Sequence, residues 1–171
     1  MSPRHNFDPS AISSTLEVLP KGDYVVSAGE GKAFEKTAKS GPKEGQLSWG
    51  IRWPLRVEQV LEGDPNAKGK RVIYSGYMHS DDASGFPKQL LMACLGYEIN
   101  NRSEREFNEK FAGQDWSYDT DSGAIGDVWR QATGRTVIVS LDVQPNINTP
   151  GEFIQQFTRF RPVSQLAAAV R

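Results

Sequence analysis

Arg52 and Arg56 stand on a stretch whose apolar residues fall at every second place: Leu47, Trp49, Ile51, Trp53, Leu55 and Val57 alternate with Ser, Gly, Arg, Pro and Arg. Side chains on a strand alternate between faces, so the pattern predicts one long strand with an oily face carrying two Trp and a second face carrying two Arg. A cationic face of this kind suits a polyanion, and Gly50 on the same face would let a ligand approach the backbone. Further cations flank the stretch. Lys36, Lys39 and Lys43 lie in the turn-rich run E-K-T-A-K-S-G-P-K-E-G before it, and Lys68, Lys70 and Arg71 follow the next turn. The competing explanation is an ordinary solvated strand face and a solubilising loop, which the sequence leaves open.

Aromatic residues supply the other half of such a chemistry. Holding a single-stranded nucleic acid without sequence preference takes cations along the phosphates and rings on which bases stack. Tyr74 and Tyr77 have opposite parity, so one of them is expected to face away from the core. Trp49 and Trp53 point with the apolar set and are assigned to packing, although a bulge at Gly50 would bring Trp49 to the binding surface. Phe153, Phe157 and Phe160 have mixed parity on the last predicted strand, with Arg159 and Arg161 among them, so at least one ring there is expected to be exposed.

Signals for catalysis or metal binding are poor. Gly63-Asp64-Pro65-Asn66-Ala67-Lys68-Gly69-Lys70-Arg71 departs from a phosphate loop in its glycine spacing and in having Arg71 where Ser or Thr would hold magnesium, so it reads as a turn. Asp119-Thr120-Asp121-Ser122-Gly123 begins like a calcium loop but lacks the late bidentate Glu, which leaves an Asp-rich turn. His79 with Asp81 and Asp82 has the donor types for a divalent ion or a general base, yet no nucleophile–base pairing is visible, and a surface loop accounts for them. Cys94 is the only cysteine, which excludes an internal disulfide. With only two His, a structural zinc site lacks ligands.

The elements that must position these residues read as mainly β. Sixteen Gly, ten Pro and a 10% aromatic share favour a turn-rich strand protein over a helix bundle. Lys and Arg number 20 against 21 Asp and Glu, so affinity for a polyanion must come from a local patch. The predicted order is a strand over 22–34, the long strand from Leu47, a third over 71–78, a helix over 87–95, a second short helix opened by Ser103-Glu104-Arg105-Glu106, a short helix within 125–133, then strands over 135–143 and 152–160. Residues 1–20 read as an N-terminal arm, 21–162 as the domain with 112–133 as an insertion, and 163–171 as a tail. No apolar leader and no run of 18 apolar residues is seen, so a soluble cytosolic protein is expected. Five strands with helices after the third is the order of an oligonucleotide/oligosaccharide-binding (OB) barrel, a Greek-key barrel.

Several segments together resemble a family of small phage-encoded proteins found among replication and recombination functions. They are Leu19-Pro20-Lys21-Gly22-Asp23-Tyr24-Val25-Val26, the hairpin ending Lys39-Ser40-Gly41, Gly69-Lys70, Gln89-Leu90-Leu91-Met92-Ala93-Cys94-Leu95-Gly96, Gly134-Arg135-Thr136-Val137-Ile138-Val139, and Phe157 with Phe160-Arg161-Pro162. The resemblance implies a non-catalytic single-stranded DNA-binding protein on an OB-type barrel, working with phage recombinase or replication proteins. It implies no cofactor, metal or membrane, and leaves a homo-oligomer open. The 112–133 insertion departs from the family pattern, so it implies no role for Trp116 or Trp129. The chain's ending also lacks an acidic partner-recruiting tail. The expected DNA-binding set is Arg52, Arg56, Lys36, Lys39, Lys43, Lys70, Arg71, Tyr74, Tyr77, Trp49 and Arg159. The alternative is a phage structural or assembly protein using the barrel for protein contacts. A weaker third is a magnesium-dependent nuclease built on Asp82, Asp119 or Asp121.

Overall fold

The computed structural model describes residues 19–39, 41–146 and 150–169. The expected arm over 1–18, Ser40 and the last two residues of the tail lie outside the described residues, as do the side chains of Asp81 and Asp82. Six antiparallel strands form one sheet: β1 (Gly22–Ala28), β2 (Lys32–Thr37), β3 (Leu47–Glu62), β4 (Arg71–Tyr77), β5 (Thr136–Pro145) and β6 (Phe153–Arg161). Four α-helices accompany them among the described residues: α1 (Asp81–Cys94), α2 (Asn101–Phe111), α3 (Asp127–Arg130) and α4 (Ser164–Ala169). The mainly-β expectation holds. The sheet runs β2-β3-β1-β5-β6 with β4 on the other side of β3, and its ladder does not close into a barrel. No helix is long and apolar enough to cross a membrane among the described residues.

The single strand expected over 22–34 is two strands, interrupted at 29–31. The break follows from crowding against β3: a Cβ at Gly29 would lie 2.7 Å from Pro54 Cγ, and one at Gly31 would lie 2.5 Å from Trp53 Nε1. Only glycine lets the backbone pass there. β3 runs on past Val57 to Glu62, and register shifts between Val25 and Val26 and between Asp23 and Tyr24 absorb the change of parity. At the end of the expected arm, Leu19 is fully buried in the core and the Pro20 carbonyl accepts a 2.6 Å hydrogen bond from the Tyr24 hydroxyl.

The helices also shift from their expected starts. α1 begins at Asp81, so Pro87 lies inside it, and its ring packs on β4 where Gly76 has no side chain to obstruct it. Asn100 caps α2, its Oδ1 accepting from the Ser103 amide at 2.8 Å, and this starts the helix before the Ser103 box. A 2.9 Å ion pair between Lys88 and Glu104 ties α1 to α2.

Ile51, Trp53, Leu55 and Val57 are buried while Arg52, Pro54, Arg56 and Glu58 are exposed, so the alternation predicted for β3 stands along its centre. Trp53 is the hub. Its ring stacks on Tyr74 at 6.1 Å and meets Trp129 at 6.1 Å. Tyr74 in turn meets Phe157 at 4.9 Å and Phe160 at 5.1 Å, so rings bridge β4 and β6 where no ladder joins them. The insertion joins the same cluster, with Trp116 against Trp129 at 5.6 Å and against Phe107 at 5.7 Å. Both indoles are satisfied: Trp116 donates to the Phe111 carbonyl at 3.0 Å and Trp129 to that of Trp116 at 2.7 Å. The insertion therefore extends the core.

Candidate functional site

The outer face of β2, β3 and β4 is fixed by register. Lys32 lies opposite Arg52, Phe34 opposite Gly50 and Lys36 opposite Ser48. On the other side of β3, Tyr77 lies opposite Gly50, Ser75 opposite Arg52, Ile73 opposite Pro54 and Arg71 opposite Arg56. Residues paired across a ladder share a face. This face therefore carries Lys32, Phe34, Lys36, Arg52, Pro54, Arg56, Arg71, Ile73, Ser75 and Tyr77.

At one end the rings form a row. Phe34 meets Tyr77 edge-on at 5.5 Å, Tyr77 meets His79 at 5.6 Å, and His79 meets Trp49 at 5.9 Å. The Arg52 guanidinium covers Phe34, with Cζ 4.4 Å from the ring centroid, and its Nε reaches Ser75 Oγ at 3.4 Å. Tyr77 and His79 also line a recess of about 290 Å³ with Lys36 and Lys43 of the β2–β3 hairpin. A second recess of about 420 Å³ continues along the face between Phe34, Arg52, Pro54 and Ile73. Ile73 stands 48% exposed there, an apolar shelf among cations. Bases need flat apolar faces and their phosphates need cations, and both are adjacent here.

Trp49 reaches the surface because parity slips beside it. Gly50 and Ile51 are both buried, so Trp49 is half-buried and Leu47, expected in the core, is 45% exposed. The expected open backbone at Gly50 is absent: a Cβ there would lie 1.9 Å from the Gly76 carbonyl oxygen. Its missing side chain serves the close approach of β3 and β4 and leaves a ligand no room.

The sequence-predicted residues divide accordingly. Arg52, Tyr77, Trp49, Lys36 and Lys43 gather around the ring row. Lys39 is exposed on the same hairpin, outside the recess. Arg56 and Arg71 sit together at the far end, beside half-buried Lys70. Two residues of the expected set lie outside this groove. Tyr74 is 5% exposed within the core, where burial pushes its phenol up from the ordinary value, so it cannot meet a ligand. Arg159 lies on β6, separated from β3 by β1 and β5, opposite Ser140 and thus near Asp23. The surface there is acidic: Asp23, Glu62 and Asp142 line a recess of about 480 Å³, and Asp23 pairs with Arg161 at 3.3 Å.

Phe34, His79 and Lys32 were not singled out for this site by sequence. Phe34 and Tyr77 are neighbours only because both face Gly50, a register that exists once β3 has paired on both sides. Nor do the weaker motifs assemble. The Asp119 carboxylate accepts from the Asp121 amide at 2.9 Å and from the Ser122 hydroxyl at 3.0 Å, which closes an Asx turn and holds its carboxyl below the ordinary value. No group of three or more His, Cys, Asp or Glu that could hold a metal ion occurs among the described residues. Cys94 is buried, and its thiol is pushed up to about 12 by desolvation. Such a thiol is a poor nucleophile.

Comparison with models of known protein families gives no match, and comparison with curated proteins gives none either.

Proposed function

We propose that the chain is a non-catalytic single-stranded DNA-binding protein of phage replication or recombination, with the outer face of β2, β3 and β4 as its groove. The observation that carries this is the row Tyr77, His79, Trp49, continued by the Arg52 guanidinium that covers buried Phe34 and flanked by Lys36 and Lys43. Rings at successive edge contacts offer stacking to any base, and the bordering cations track a backbone. Duplex DNA keeps its base faces stacked inside, so this row favours single strands.

Assignment to an OB-type fold is part of the same proposal. Taken as one interrupted strand, β1 and β2 reduce the count to five, and an OB barrel is a five-stranded, partly open Greek key whose second and third strands carry the ligand face. The corresponding pair here is β3 and β4. The ordered resemblance to phage replication and recombination proteins supplies the biological setting.

Titration of labelled dT oligomers at two salt concentrations tests the reading. Binding is expected at low salt and is expected to weaken steeply as salt rises, because counterions are released on association. No affinity at either concentration overturns it. A protein-contact role on another surface is favoured by one observation: Phe153 and Ile154, 58% and 49% exposed, are successive residues of edge strand β6 and leave an apolar side chain on each of its faces. Co-assembly with virion components in the absence of oligonucleotide affinity is the result that would select it.

A further inference from the structure

Arg56 and Arg71 lie directly opposite one another across the β3–β4 ladder, both exposed. Like charges in direct cross-strand register destabilise a sheet, so this pairing costs stability unless something relieves it. Among the described residues neither guanidinium is ion-paired. The nearest carboxylate along that face of β3, Glu58, is ion-paired with neither and accepts a 2.7 Å hydrogen bond from Ser27 on β1. Beyond Arg71 on the same face of β4 come Ile73 and Ser75, which carry no charge. The adjoining turn adds Lys68 and Lys70.

We infer that Arg56 and Arg71 form a clamp for a phosphate group. Two planar guanidinium forks on adjacent strands present paired donors to one tetrahedral anion, and the anion removes the repulsion that its absence leaves. The clamp lies six residues along β3 from Gly50, which is opposite Tyr77, so it stands roughly 20 Å from the ring row at the strand rise. In the single-strand reading, on which the source of the phosphate rests, bases stack at the ring end and the backbone is anchored at the clamp. The phosphate belongs either to a polynucleotide or to a free phosphate compound, and the two arms of the test separate them.

The first arm follows thermal unfolding in inorganic phosphate against chloride at matched ionic strength. The wild-type protein is expected to gain several degrees from phosphate, and Arg71→Gln to lose that gain. The second arm compares dT oligomer binding by the wild type and Arg71→Glu. That variant places a carboxylate opposite Arg56, so it should melt no lower than the wild type without anion while binding oligomer at least ten-fold more weakly, with a shallower salt dependence. Equal phosphate stabilisation of the wild type and Arg71→Gln overturns the clamp and leaves the ring-row reading standing, whereas phosphate stabilisation through Arg71 with undiminished oligomer affinity and salt slope in Arg71→Glu assigns the clamp to a free phosphate compound. A wild-type protein that gains stability from phosphate through Arg71 yet binds no oligomer upholds the clamp for a free phosphate and removes the single-strand reading.

Discussion

The Arg52 guanidinium carbon lies 4.4 Å from the centroid of the Phe34 ring on the neighbouring strand, so a cation caps an otherwise apolar ring at the centre of the cationic face. The contact leaves Phe34 only 8% exposed and presents the flat guanidinium outward in its place. Arg52→Ala therefore removes a charge and a stacking surface together. The lost cation–π contact should lower stability by about 0.5–1 kcal/mol, as at other exposed sites. Oligonucleotide affinity should fall about ten-fold, or about 1.4 kcal/mol. Arg52→Lys keeps the charge without the planar fork, so its affinity should lie between the two. Chemical denaturation and fluorescence anisotropy measure the two effects separately.

Trp49 is half-buried at the end of the ring row, whereas Trp53 and Trp129 are buried in the core. Stacking of a base on Trp49 should quench its emission, and Trp49→Phe should abolish most of the fluorescence change caused by a dT oligomer. Trp129→Phe should leave that change intact. Tyr77→Ala should cost about 1–3 kcal/mol of binding, the usual loss for one base–aromatic stack. Tyr74→Phe, although it alters a tyrosine three residues away, should leave affinity unchanged. Equal losses from Tyr74→Phe and Tyr77→Ala would contradict the division of the two rings between core and groove.

Gly50 offers a test of the sheet itself. An added methyl would meet the Gly76 carbonyl oxygen at 1.9 Å, and backbone cannot move aside as a flexible side chain can. Gly50→Ala should destabilise the protein by at least the ~1–3 kcal/mol typical of overpacking and should weaken oligonucleotide binding by separating β3 from β4. Gly85→Ala is the control, since its Cβ would meet nothing within 4 Å. A Gly50→Ala protein as stable as the wild type would show that the two strands are not held at this distance.

What the sequence disclosed about this fold was whatever depends on local periodicity. The alternation from Leu47 to Val57 placed Trp53, Leu55, Arg52 and Arg56 on their correct faces because a strand's two-residue period survives any tertiary arrangement. It misplaced Leu47, because the slip at Gly50–Ile51 is imposed by the approach of Gly76 from another strand. The insertion was opaque for a similar reason. Trp116 and Trp129 have no periodic context, and their packing on Phe107 and Trp53 depends on elements distant in the chain. The site was legible as an inventory of Arg, Lys and aromatic residues but not as an arrangement. That Phe34 meets Tyr77, or that Arg56 faces Arg71, is a fact of strand pairing and has no local signature. Tyr74 and Tyr77 illustrate the limit: parity said that they diverge, and only packing against Trp53 says which one is core.

The insertion should loosen in acid, and Asp115 is the reason. Its carboxylate accepts from the Ser117 hydroxyl and, at 2.9 Å, from the Ser117 amide, and these bonds hold the carboxyl below its ordinary value. The neighbouring backbone is pinned to the same place: the Asp115 carbonyl accepts from the Val128 amide at 3.1 Å, and a Cβ at Gly126 would lie 2.7 Å from the Asp115 carboxylate. A carboxyl that titrates lower in the folded chain than in the unfolded one favours folding when ionised. That contribution is complete above the ordinary carboxylate range and is lost as pH falls through the lowered value. Because the loop carries Trp116 and leads to Trp129, tryptophan emission reports its release. Ser117→Ala removes the hydroxyl that lowers the carboxyl most, so the variant should be less stable at neutral pH and its remaining acid loss should be smaller and complete at higher pH. Asp115→Asn cannot ionise and should lose this part of the acid response altogether. An acid transition identical in all three proteins would place the pH sensitivity elsewhere, with Asp119 in its Asx turn the next group to replace.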